Sequence, residues 1–145
     1  MDKRIETKYI AIHCASTPYD VGVERIRQWH MDRGFDDIGY HYVIRFDGTI
    51  ETGRDEELVG AHERAINRTS VAICLAGGLD SGGHDKFNFP AVQMASLRVL
   101  ITQLIGKYGK DVQVVGHNEY SEKSCPTFNV PAWWAFGDIV KVELN

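Results

Sequence analysis

Val114-Val-Gly-His-Asn-Glu-Tyr-Ser-Glu-Lys-Ser-Cys-Pro126 is the stretch on which the reading of this chain turns. Two apolar β-branched residues run into Gly116 and His117, and a polar loop then carries Lys123 and Cys125 before closing on Pro126. That pattern describes a strand handing side chains to a loop. The loop between His117 and Cys125 is long enough to fold back and set an imidazole and a thiolate on one cation, and both are good zinc donors. A catalytic zinc takes about three protein ligands and keeps a fourth position open, so the pair needs a third donor from elsewhere. His13 is the best candidate, because it ends the apolar run Tyr9-Ile10-Ala11-Ile12, a second strand with a polar residue at its tip.

The rest of the composition limits what such a site can belong to. A chain of 145 residues is expected to form a single domain, residues 1–145, large enough to bury a core without disulfide or metal staples. A hydrophobic fraction of 43% and a charged fraction of 25% are ordinary for a soluble globular protein. The longest uncharged apolar stretches, 71–79 and 99–105, fall far short of the ~20 residues of a bilayer span, so no membrane insertion is expected. The N-terminal Met-Asp-Lys-Arg-Ile-Glu-Thr-Lys is charged and lacks the apolar core of a secretory signal, which points to accumulation in the cytoplasm. Net charge is -4 with Lys and Arg scattered along the chain, a poor footprint for nucleic acid. The three cysteines, Cys14, Cys74 and Cys125, are an odd number and suggest no disulfide framework; Cys14 and Cys74 read as small core hydrophobes.

Outward from the opening stretch, elements alternate. Val23, Ile26, Trp29 and His30 recur at helical spacing over 23–33, with Gly34 as a stop, and His30 reads as structural. Tyr40 to Phe46, the turn Asp47-Gly48 and Thr49 to Thr52 read as a β-hairpin. In that strand Tyr40, Tyr42 and Ile44 share one face, so Tyr40 and His41 reach one site only if the strand begins after them. Residues 54–67 show no period and read as a surface segment. Ser70 to Ala76 is a buried strand, 79–88 a loop rich in Gly, Asp and Ser with His84 solvated, and Pro90 opens the longest helix, which runs to Tyr108. Val112 to Val115 is the last strand, and a short helix from Val130 precedes a polar tail.

Strands interleaved with helices predict an α/β fold: a central mixed β-sheet flanked by helices on both faces. His13 and His117 both fall at carboxyl ends of strands, the edge where ligands usually bind in open α/β sheets. They meet if those two strands are parallel neighbours.

Six segments together carry a resemblance. They are Ile12 to Thr17, Gly39 to Ile44, Gly53 to Glu56, Val59 to His62, Asn67 to Leu75, and His117 through Lys123-Ser124-Cys125-Pro126. In this order, over nearly the whole chain, they resemble the zinc-dependent N-acetylmuramoyl-L-alanine amidases, a family that includes phage endolysins and the peptidoglycan recognition proteins. The resemblance implies one Zn2+ held by His13, His117 and Cys125, with Tyr40 and Lys123 beside it as catalytic residues and His62 near the substrate groove. It also implies bacterial peptidoglycan as the partner and the amide between N-acetylmuramic acid and L-alanine as the target. A monomer is expected, made in the host cytoplasm and reaching the cell wall once the membrane has been permeabilised. Two alternatives stand beside this reading. One is a non-catalytic peptidoglycan-binding module, against which Cys125 argues, since members without catalysis typically lack that ligand. The other is an amidase with a second role, binding and restraining a phage RNA polymerase.

Overall fold

Tyr9–Cys14 forms β1, and its residues from Ile10 to Ile12 are completely excluded from solvent. A strand apolar on both sides belongs in the middle of a sheet covered on both faces, and β1 lies there. The computed structural model describes residues 1–137. Within them the chain runs β1, α1 (Val23–Asp32), β2 (Tyr42–Ile44), β3 (Ile50–Thr52), β4 (Ser70–Leu75), α2 (Ala91–Tyr108), β5 (Gln113–Gly116) and α3 (Val130–Phe136). The polar tail read after the last helix lies outside the described residues.

The sheet order is β3-β2-β4-β1-β5. β1 pairs in parallel with β4 and with β5, β4 pairs in parallel with β2, and only the β2–β3 hairpin is antiparallel. Alternation along each strand sorts the core into two layers. Ile10, Ile12 and Cys14 of β1 join Val71, Ile73 and Leu75 of β4 beneath Leu97, Ile101 and Leu104 of α2, with Phe128 and Trp133 filling the end toward α3. On the other face Val43 of β2 and Cys74 of β4 meet Val23 and Ile26 of α1. The expected mixed sheet with helices on both faces is therefore the fold, and Cys14 and Cys74 are buried as their sequence context suggests.

Two local expectations change. The strand read from Tyr40 to Phe46 is regular only from Tyr42 to Ile44. At its far end the Phe46 N–H turns to Asp20 Oδ1 at 2.9 Å. At its near end Tyr40 packs in the α1 layer while Tyr42 packs in the α2 layer, so the two tyrosines do not share a face. Just before that start the backbones approach closely: a Cβ on Gly39 would lie 2.0 Å from the Ala61 carbonyl oxygen. The aperiodic segment 54–67 is also more than surface. Arg54 is buried, and its guanidinium donates to the carbonyls of Ile38 at 2.8 Å and Val59 at 2.9 Å. Backbone groups satisfied by side chains in this way leave no repeat to read.

Candidate metal centre

The parallel pairing of β1 with β5 sets the site. Ile12 lies opposite Gly116, so the next residues, His13 and His117, leave adjacent strand tips side by side. Their rings are 4.4 Å apart between centroids. A single turn of 3-10 helix, His117–Glu119, starts immediately after β5, and Glu119 Oε2 accepts the Gly116 N–H at 2.6 Å. The chain then loops back, and the backbone N–H of Cys14 donates to Cys125 Sγ at 3.0 Å, which holds the thiol against the tip of β1. The chain is closely packed at Gly116: a Cβ there would come within 2.6 Å of Asn118 Oδ1 and 3.0 Å of Val130, so the Asn118 side chain, which donates to the Ser124 and Phe128 carbonyls, would have to shift.

One donor atom from each of His13, His117 and Cys125 lies within 4.8 Å of the others, close enough to share a cation. The electrostatics suit neutral imidazole donors. Burial, then the rings of His62 and His117, hold the His13 pKa well below the usual histidine value. Burial also lowers that of His117, although Glu63 opposes it. The neighbouring Cys14 thiol and burial push the Cys125 thiol well above its ordinary pKa, and a cation is what reverses that, because a coordinating thiol is deprotonated outright. Two imidazoles, a thiol and a side open to a groove make a donor set that fits a zinc with a free position.

That groove is continuous. A cavity of about 220 Å³ bordered by Cys14, Trp29 and Cys125 shares His30, Arg33, Tyr40, His117 and Lys123 with a second of about 390 Å³ that extends to His62 and Glu63. Tyr40 stands 5.1 Å from the His13 ring, and burial raises its pKa well above the ordinary phenol value, so the hydroxyl stays protonated. Lys123 is exposed on the loop between His117 and Cys125. His41, next to Tyr40, turns the other way: its Nδ1 accepts the Ala72 N–H at 2.9 Å and its Nε2 meets the Leu58 carbonyl at 2.8 Å. His30 is buried with Nδ1 accepting the Gly39 N–H at 2.8 Å, the structural role read for it, while its ring also borders the groove.

All six residues singled out from sequence thus gather around one groove. Three that were not, Glu63, Asn67 and Ser70, join them. Glu63 Oε1 is 3.0 Å from His117 Nε2, and Ser70 Oγ is 3.0 Å from His62 Nε2. The model for N-acetylmuramoyl-L-alanine amidases matches residues 3–128. The chain is a member of that amidase family.

Other members show how far the likeness extends. An endolysin of Klebsiella phage KP32 is 44% identical over 140 residues, covering 95% of this chain and 92% of that one. The N-acetylmuramoyl-L-alanine amidase LysC from Clostridium intestinale URNW superposes with a TM-score of 0.75 at 30% identity, over 88% of this chain and 81% of its own. Peptidoglycan-recognition protein LB of Drosophila melanogaster is 31% identical over 127 residues, 84% of this chain and 52% of that one. The fold is therefore shared with a bacterial amidase, and the likeness in sequence reaches phage and animal proteins.

Proposed function

We propose that this chain is a zinc-dependent N-acetylmuramoyl-L-alanine amidase that cuts the amide between the lactyl group of N-acetylmuramic acid and L-alanine of the peptidoglycan stem, and that it serves as a phage endolysin. The observation that carries the reading is the convergence of His13, His117 and Cys125 at one end of a groove that also presents Tyr40 and Lys123. The phage endolysin at 44% identity over nearly both full lengths supports the biological setting. Among the described residues no helix is long and apolar enough to cross a membrane, which is consistent with a protein that reaches the wall only when the membrane has been opened by other means.

His13, His117 and Cys125 would hold the zinc, and the metal supplies a Lewis acid for the scissile carbonyl and an acidified water at neutral pH. The protein has the remaining work. Hydrolysis places negative charge on the carbonyl oxygen, and Lys123, carried on the same loop as two of the donors, puts an ammonium at the groove where that charge develops. The departing amine nitrogen needs a proton. Tyr40, protonated and beside His13, is a donor at the right edge of the groove and also suits orienting the attacking water.

Digestion of purified peptidoglycan tests the reaction. New free amino groups on alanine with no new reducing sugar ends are expected. Reducing ends would mean a glycosidase and would end the proposal.

A further inference from the structure

His62 and Glu63 are consecutive residues, and each holds a different one of the two histidine donors. Their own position is fixed by one atom, since Asn67 Oδ1 accepts the backbone N–H of both at 2.9 Å. The direction of every hydrogen bond beyond them can be worked out. Ser70 donates its hydroxyl proton to the Ile66 carbonyl at 2.7 Å, so toward His62 Nε2, 3.0 Å away, it can only accept. His62 therefore carries its proton on Nε2, and its remaining side-chain contact is to another imidazole rather than to a carboxylate, so the ring is neutral. Its Nδ1 is then a bare acceptor, and the 2.8 Å contact to His13 Nε2 is a bond that His13 donates. On the other side a carboxylate has no proton to give, so the 3.0 Å contact between Glu63 Oε1 and His117 Nε2 is donated by His117.

Both donor histidines thus keep their single ring proton on Nε2, which leaves Nδ1 with its lone pair available. We propose that the His62-Glu63 pair, clamped by Asn67, is a positioning unit that presets the tautomer and orientation of His13 and His117 for a cation. This gives His62 a task behind the metal histidine rather than on the substrate, and it rests on the reading of the cluster as a zinc site. Outer-shell partners that fix a ligand imidazole typically alter metal affinity roughly 10- to 100-fold.

The test needs no activity measurement. In 15N-labelled, chelator-treated protein at pH 7, two-bond 1H–15N correlations report which ring nitrogen is protonated, and His13 and His117 are both expected as the Nε2–H tautomer. Competitive chelator titration should show His62→Leu and Glu63→Leu each binding zinc roughly 10- to 100-fold more weakly than the parent. His62→Gln and Glu63→Gln, whose amide oxygens still accept from an imidazole, should recover most of the loss. An Nδ1–H tautomer at either histidine of the parent overturns the proposal, and this holds even if the leucine variants fail to fold. So do folded leucine variants with parental zinc affinity. If the parent binds zinc through Cys125 but those variants do not respond, only this inference falls; if the parent binds no zinc, the metal reading falls and takes this one with it.

Discussion

Lys123 and Tyr40 reach the groove without being donors to the cluster, so their loss should separate turnover from metal binding. Lys123→Ala is expected to keep zinc and wall binding while lowering the lysis rate by ~10² to 10³, the usual cost of removing one oxyanion donor. Tyr40→Phe retains the ring that packs against His13 and should likewise lose rate at unchanged binding. Wall pull-down and lysis measured together on zinc-loaded protein decide it; parental rates in both variants would remove the two assigned roles. Cys125→Ser should do the reverse, with zinc content falling steeply while the chelated variant melts close to the chelated parent. A serine hydroxyl is a poor and usually protonated donor, and the half-buried Cys125 packs against the margin of the core rather than within it. Normal zinc content in Cys125→Ser would rule out the thiolate as a ligand. At this scale the sequence was legible where chemistry is rare and blind where it is common: a strand-end histidine and a Lys-Ser-Cys-Pro loop stand out, whereas nothing distinguishes Glu63 or Asn67 from other surface polar residues until His117 and the turn at 62–63 are brought to them.

Helices and central strands announced themselves through their periods, because α2 buries one stripe and β1 and β4 are apolar on both sides. The segment that supports the site did not, because it is held by individual polar contacts: Arg54 on three carbonyls, Asn67 on two amides, His41 between Ala72 and Leu58. Those contacts predict how the elements come apart. Burial pulls the His41 pKa from 6.5 to about 4. The unfolded chain then binds more protons than the folded one between those values, so stability present above pH 6.5 is lost as pH falls toward 4, by roughly 3 kcal/mol for this residue. Denaturant titrations at pH 7 and pH 4.5 should show His41→Gln less stable than the parent at pH 7 but losing less on acidification. Equal losses would show that His41 is not what the acid attacks. Arg54→Met should cost about 3 kcal/mol, because it strips charged donors from the buried Ile38 carbonyl and the half-buried Val59 carbonyl; a near-parental melt would mean that water replaces the guanidinium.

The molecule as a whole should stand without its metal. Its largest buried side chains, among them Trp133, Phe128, Ile10, Ile73 and Leu97, belong to no donor set and fill the space between sheet and helices. About one zinc per chain is expected by metal analysis, and excess chelator should abolish lysis while circular dichroism keeps most of its native signal. Full lysis in chelator would be incompatible with the proposed chemistry. Leu97→Ala, at the centre of α2 and completely buried, should in contrast lower stability by about 2 to 5 kcal/mol with or without zinc. The strand order has a further consequence in time. Because β1 is the first strand made and β5 the last, the two histidine donors emerge from the ribosome at opposite ends of synthesis, and the thiol later still. A chain interrupted before the end of β5 displays His13 without His117 or Cys125 and so lacks two of the three proposed zinc ligands. On the proposed chemistry, translation products abandoned before Cys125 would therefore carry no lytic activity.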